Sequence, residues 1–291
     1  MRKGIILAGG QGTRLRPATL ATSKHLLPIY DKPMIFYSIS ALMLSGINEI
    51  LLISDPVSLP SYKLLFGDGT RFGLKMTYAE QKKPNGLPEA FLIGEEFIEK
   101  KDCCLVLGDN FFHGQGLSEI FLRASNQIGC SLILRPVPNP HDFGVCILNE
   151  TGEFLKIVEK PETFVSNWIA TGMYYFDGSA PDVARSLKPS SRGELEISDM
   201  INEYSSISPI NIEKLGRGCA WLDTGSFEGL FNATSYVRSM QQQHGYMIAC
   251  LEEIAIKLDW LSLEEAKKGA SHYKGEYRSY LERFIKNEVE K

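Results

Sequence analysis

"GIILAGGQGTRLRPATLATSKHLLP", residues 4–28, is the stretch on which the reading of this chain turns. An apolar run, Ile5 to Leu7, empties into glycines at 9, 10 and 12, with Arg14 close behind and Lys24 ten residues further on. A strand that ends in bare glycines lets backbone N–H groups approach phosphate oxygens closely at the carboxyl edge of a sheet. Two cations after it suit a ligand with several negative charges, and arginine adds a planar, bidentate donor. Two common phosphate loops do not fit. A Walker loop needs lysine directly after its last glycine, where Thr13 and Arg14 stand. The dinucleotide fingerprint matches Gly10 and Gly12 but meets Leu15 in its third place, where helix packing requires glycine or alanine.

The bulk composition agrees with a soluble enzyme-sized chain. Its 291 residues, 44% apolar and 23% charged, can bury one large core or two smaller ones. The formal charge of −4, from 31 basic and 35 acidic residues, disfavours a nucleic-acid partner, which requires a basic surface. No apolar run reaches the roughly 20 residues of a membrane helix, and glycine interrupts the first strand too early for a secretory leader. The expected setting is the cytoplasm, with no membrane partner. Cys103, Cys104, Cys130, Cys146, Cys219 and Cys250 form no CxxC pair. The first four lie in strand-like runs, so buried free thiols are expected.

Along the chain, short apolar runs alternate with segments of helical period: "KGIILA", "KPMIFYSISALMLSG", "EILLIS", "PSYKLLFG", "LKMTYAEQ", "PEAFLIGEEFIEK" and "CCLVLGDN". Four strands with crossovers predict a doubly wound α/β core. After a helix at "LSEIFLRASNQIG", the runs "SLILRPV", "FGVCILNE", "FLKIVEK" and "IATGMYYFD" follow with short turns, so strands dominate and the sheet becomes mixed. Helices return at "GELEISDMINEYSS" and "FEGLFNATSYVRSMQQQHG", and the end reads as short amphipathic helices. The expected fold class is therefore α/β, a Rossmann-like doubly wound mixed sheet with a C-terminal helical appendage.

The whole opening stretch, with "SKHLLP", resembles the sugar-nucleotide pyrophosphorylases, and among them most the glucose-1-phosphate thymidylyltransferases. "AEQKKPNGLPEAFLIGEEFI", "VLGDNFFHG", "FGV", "VEKP", "ATGMYYFD", "RGELEISD" and "GCAWLDTGSFEGL" follow in that family's order and carry the resemblance to about Phe231. It implies a nucleotidyltransferase domain over residues 1–231, with a nucleotide part over roughly 1–115 and a sugar part over roughly 116–231. Residues 232–291 would be a helical segment for assembly or regulation. The implied substrates are dTTP and glucose 1-phosphate, the cofactor Mg²⁺, and the assembly a homotetramer built as a dimer of dimers and restrained by a nucleotide sugar at a second site.

The resemblance also implies roles residue by residue. Gly9, Gly10, Gln11, Gly12 and Thr13 cradle the triphosphate, and Arg14 and Lys24 neutralise it. Asp109 and Asp223 hold the metal, since a hard ion takes one or two carboxylates and fills its shell with phosphate oxygens and water. Gln81 and Gly86 read the pyrimidine edge, for which a glutamine amide offers donor and acceptor together. Lys160 grips the sugar phosphate, and Glu159, Gly144, Thr171 and Gly172 meet the hexose, with Asn110 on the ribose or sugar side. Trp221 is either core or lining of the metal loop, and His25 and His113 are read as hydrogen-bonded packing residues.

Three positions depart from the pattern. Gln11 stands where serine is more usual, Glu89 stands where glutamine is, and no acidic residue follows "FGV". These bear on the sugar and the base more than on the reaction. Two rival readings remain: a uridylyltransferase or an enzyme for another hexose 1-phosphate, and a binding protein that keeps the fold without turnover.

Overall fold

The computed structural model describes residues 2–10 and 12–290, so Gln11 of the glycine loop lies outside the described residues. The chain opens with β1 (Lys3–Leu7), two 3₁₀ turns at Thr13–Leu15 and Lys24–Leu26, and a small hairpin of β2 (Pro28–Ile29) and β3 (Lys32–Pro33). Then come α1 (Ile35–Leu44), β4 (Glu49–Ser54), α2 (Leu59–Phe66), β5 (Lys75–Glu80), α3 (Glu89–Ile93), α4 (Glu95–Ile98) and β6 (Cys103–Leu107). The middle holds β7 (Asn110–Gly114), α5 (Leu117–Asn126), β8 (Cys130–Pro136), β9 (Gly144–Leu148), β10 (Phe154–Glu159) and β11 (Trp168–Phe176). The last part runs α6 (Ala180–Ser186), α7 (Ile197–Tyr204), β12 (Ile210–Lys214), β13 (Cys219–Asp223), α8 (Phe227–His244), α9 (Leu251–Lys257), α10 (Leu263–Ala270) and α11 (Gly275–Val289).

Among the described residues, nine strands form one mixed sheet in the order β10-β9-β11-β6-β1-β4-β5, with β8 paired to β11 and β12 paired to β8. The pairs β6–β1, β1–β4 and β4–β5 are parallel, and β11 is antiparallel to β6, β8 and β9. This matches the expected doubly wound core with a mixed continuation. Every residue of β1 is buried, as a strand covered on both faces requires. On one face lie α1, α2 and α5, joined by α9, α10 and α11 through Leu251, Ala266 and Leu281. On the other, Phe91, Val183, Met200 and Tyr204 pack α3, α6 and α7 against the same strands. The six cysteines are free and buried, as expected, and no described helix is long and apolar enough to cross a membrane.

Five strands were not foreseen: the short β2 and β3, and β7, β12 and β13. Of these, β7 and β13 pair antiparallel as a separate ribbon. The domain boundary expected after 231 falls inside α8, which runs unbroken from Phe227 to His244. Ala233 and Val237 of this helix bury against Ile29 and Tyr37 of the N-terminal part and Phe111 of β7. The buried face of this helix, Ala233 and Val237, begins just past position 231, and the helix runs continuous across the expected boundary.

The glycine loop leaves the carboxyl end of β1 without entering an α-helix, and its far end is pinned from beneath. His25 is buried with its Nδ1 3.1 Å from Ser23 Oγ, and Ser23 Oγ lies 2.8 Å from the Tyr62 hydroxyl, which donates to the Ala8 carbonyl. This relay fastens residue 25 to the strand end from which the loop departs.

Burial, and next the Lys24 charge, lower the His25 pKa from 6.5 to about 3. The folded state thus keeps the imidazole neutral, while the unfolded chain takes a proton below 6.5. This stability is present above that pH and is lost as pH falls toward 3. The slope is about 1.4 kcal/mol per pH unit. Urea unfolding at pH 6.5 and 5 should show the native chain losing about 2 kcal/mol more than His25→Gln. Equal losses would reject this assignment.

Candidate active site

The glycine loop, the carboxyl end of β6 and the β7–β13 ribbon converge at one edge of the sheet. In the loop, Gly10 has φ 101° and Gly12 has φ 55°, conformations that side chains disfavour. Thr19 ties the loop down by donating its hydroxyl to the Gly12 carbonyl at 2.8 Å. Gly9 and Gly10 face a cleft, and Thr13 begins the short turn that carries Arg14.

Asp109 follows the buried strand β6, and the ribbon register places Asp223 opposite Asn110. Thr224 closes the ribbon by donating its hydroxyl to the Asp109 carbonyl at 2.7 Å. Two acids far apart in sequence thereby come together. Lys24 Nζ makes a short ion pair with Asp109 Oδ2. Arg14 lies beside Asp223, its Nη2 at 2.6 Å from where a Cβ on Gly225 would stand. Asp223 Oδ1 also accepts from the Gly225 N–H at 3.0 Å.

Burial opposes the charge on Asp109, but the Lys24 ammonium prevails and draws its pKa down to about 2. Asp223 goes the other way: burial and then the Asp109 carboxylate raise it, against the pull of the Gly225 N–H, Arg14 and Lys24. An acid raised by its acidic neighbour is a charge that a further cation would relieve. The pair therefore fits a hard divalent ion. Among the described residues no group of three or more His, Cys, Asp or Glu could hold a metal. Ligand oxygens would have to complete the shell.

Asn110 is buried and acts as a strut. Its Oδ1 accepts from Gly172 N–H at 3.0 Å and from Trp221 Nε1–H at 2.7 Å, and its Nδ2 lies 3.5 Å from Asp109 Oδ1. Trp221, with its ring edge-on to Phe143 at 5.6 Å, thus braces the ribbon on β11. Thr171 is wholly buried and its hydroxyl donates to the Ile133 carbonyl at 2.9 Å. The hydroxyl contact expected from it toward a hexose is therefore not offered. It is committed where the pairing of β11 with β8 shifts register. His113 Nδ1 lies 2.8 Å from the Tyr236 hydroxyl, a packing role as expected.

A cleft of about 270 Å³ links the remaining residues. Gly9, Gly10, Gln81 and Gly86 line one side, and Glu159, Lys160 and Arg192 the other. The two sides are stitched together where Gly86, at φ 108°, bridges Leu195: a Cβ there would sit 2.0 Å from the Leu195 carbonyl oxygen. Gln81 is buried, and its Nε2 donates to Glu89 Oε2 at 2.7 Å. Glu159 accepts from the Ser198 hydroxyl at 2.6 Å, and Gly144 pairs with Glu159 across β9 and β10. Lys160 has φ 41°, which turns the chain sharply at the end of β10.

Arg192 and Ser198, in "RGELEISD", join the cleft without a role foreseen from the sequence. Arg192 Nη2 is held by Glu196 at 2.6 Å and reaches Glu159 at 3.5 Å. The only local sign was an arginine preceding a glycine, which marks any polar turn.

A family model described as "Nucleotidyl transferase" matches residues 3–240. A protein of Neisseria meningitidis serogroup A named glucose-1-phosphate thymidylyltransferase is 49% identical over 286 residues, covering 98% of this chain and 99% of its own. One of the same name from Xanthomonas campestris pv. campestris is 45% identical, covering 96% of each. Among solved structures, a Bacillus anthracis protein provisionally given that name and crystallised with sucrose superposes with a TM-score of 0.74 at 33% identity. That superposition covers 82% of this chain and 96% of the other. A UDP-glucose pyrophosphorylase complexed with UDP-glucose shares the fold at TM-score 0.73 and 23% identity, over 82% and 99%. On these matches the chain belongs to the nucleotidyl transferase family.

Proposed function

We propose that this enzyme transfers a deoxythymidylyl group from dTTP to α-D-glucose 1-phosphate, forming dTDP-glucose and pyrophosphate. The observation that carries this reading is the cleft that has the glycine loop, Gln81 and Gly86 on one wall and Glu159, Lys160 and Arg192 on the other. A nucleotide on the first wall and a sugar phosphate on the second would meet beside Asp109, Lys24 and Arg14. The names of the relatives support the choice of both substrates.

In the reaction, a phosphate oxygen of the sugar 1-phosphate forms a bond to the α-phosphorus of dTTP. The bond from that phosphorus to the bridging oxygen breaks in line, and pyrophosphate leaves with the electron pair. The nucleophile is already an anion at neutral pH, so no general base is required. The protein's task is to align two anions that repel each other and to spread the charge of the leaving group. Lys160 holds the incoming phosphate and Lys24 the α-phosphate. Arg14 and the N–H groups of the loop take the pyrophosphate end. Gln81 and Gly86 meet the base, and Glu159 with Gly144 and the Thr171–Gly172 backbone the hexose. Asp109 and Asp223 would hold Mg²⁺, which when bound disperses charge on the triphosphate.

Asp109→Asn and Lys160→Ala should each lower turnover a hundredfold or more, the effect of losing about 3 kcal/mol aimed at the transition state. Pyrophosphate release assayed over a range of Mg²⁺, with melting curves as control, checks both. Near-normal turnover in either variant rejects its role. The one favouring observation for a uridylyltransferase is that thymine differs from uracil by a methyl group, worth only about 1 to 3 kcal/mol in a pocket. In competition, dTTP should therefore lead with UTP measurably used; a preference for ATP would overturn the base assignment.

The same reading makes the working form a cytoplasmic homotetramer. Free buried cysteines suit a reducing compartment, and α8 leaves Phe227 and Phe231 52% and 66% exposed on its first turns. Light scattering should return four chains per particle, and a monomer at micromolar concentration would refute the assembly.

A further inference from the structure

Thr19 is buried behind the glycine loop, although its neighbours Ala18 and Leu20 are exposed. Its hydroxyl donates to the Gly12 carbonyl at 2.8 Å, and the Leu15 N–H gives the same oxygen a second bond at 2.9 Å. Its methyl group covers Gly12 as well: a Cβ there would lie 3.1 Å from Thr19 Cγ2 and 3.2 Å from Lys24 Cβ. Gly12 itself, at φ 55° and ψ 36°, has no side chain to hold its peptide, and glycine moves between backbone regions more freely than any other residue. The Gly12 carbonyl and the Thr13 N–H belong to one trans peptide, so they point opposite ways. Fixing the first on the buried threonine therefore turns the second away from it, to the exposed side of the loop where Thr13 lies.

Resting on the dTTP reading given above, we propose that Thr19 is a positioning residue for the triphosphate. By occupying the Gly12 carbonyl, it keeps that oxygen from turning toward the phosphates and commits the loop to offering N–H groups there. The difference is one of sign. A carbonyl oxygen and a phosphate oxygen are both acceptors and repel, whereas an N–H makes a charge-assisted bond. One flip of the Gly12–Thr13 peptide would exchange the second for the first. Without the hydroxyl, only the Leu15 N–H opposes that flip, from within a 3₁₀ turn of three residues. Thr19 thus acts on the phosphates through Gly12.

The test compares the native chain with Thr19→Val and Thr19→Ala, which lack the hydroxyl, and with Thr19→Ser, which keeps it. KM is measured for dTTP and glucose 1-phosphate in the forward direction and for pyrophosphate, with dTDP-glucose, in reverse, beside melting curves. Both variants without the hydroxyl should raise KM for dTTP and for pyrophosphate about tenfold, the effect of one misdirected hydrogen bond. KM for glucose 1-phosphate should stay within about twofold, and Thr19→Ser should keep all three near the native values. A merely structural role would move all three constants together, and that result overturns the proposal. A loss in Thr19→Ser equal to that in Thr19→Val would assign the effect to packing and overturn it too. If the folded variants keep native KM for dTTP and pyrophosphate, the role of Thr19 is rejected and the thymidylyltransferase reading stands. If the native chain makes no pyrophosphate from dTTP and glucose 1-phosphate, that reading fails and this one with it.

Discussion

Four charges held at the carboxyl ends of β1 and β6 govern this molecule. Asp109 and Asp223 repel each other in a partly buried place, and Lys24 and Arg14 are arranged against them. The two cations balance the two acids, with Lys24, Asp109 and Asp223 partly buried and Arg14 at the exposed rim. The cluster is also poised, because Lys24 holds Asp109 ionised against burial, while burial and then the Asp109 carboxylate raise Asp223.

The rest of the fold can be understood as what holds those charges in register. The parallel strands supply a stiff edge, buried on both faces, at which loops can carry ligand groups. The β7–β13 ribbon sets the separation of the two acids, and Trp221 and Asn110 lock the ribbon to Gly172 of β11. The Ala8–Tyr62–Ser23–His25 relay keeps the loop closed over the end of β1.

The two walls of the cleft are one body. Gly86 meets Leu195 backbone to backbone, and the Asn85 carbonyl accepts from the Leu195 N–H at 2.8 Å. The segment that carries Gln81 and Gly86 is thus fastened to the one that carries Arg192 and Glu196. The C-terminal helices stiffen the opposite face: α9, α10 and α11 bury their apolar sides against α1 and α2. Division into a nucleotide half, a sugar half and a tail describes the order of the chain better than its mechanics.

Much was legible in the sequence because much is local. The period of apolar residues announced β1, β4, β5 and β6 and the helices between them, and glycines 9, 10 and 12 marked a tight loop, with Gly10 and Gly12 at positive φ. Motif order, read as a resemblance, carried the family and singled out Asp109, Asp223 and Lys160. Short strands escaped: β7 and β13 form a ribbon of five residues each, and their pairing, not their composition, makes them strands. Tertiary structure alone decided that Thr171 spends its hydroxyl on Ile133 and that Asn110 braces Trp221. It alone decided that Glu89 grips Gln81, and that Asp223 comes to lie by an acid joined to its ribbon across a sequence separation of 115 residues. The division has a physical cause. Periodicity and bare glycine act over a few residues of backbone, whereas the partner of a buried polar group is chosen by the packing of elements that meet only when the whole sheet has closed.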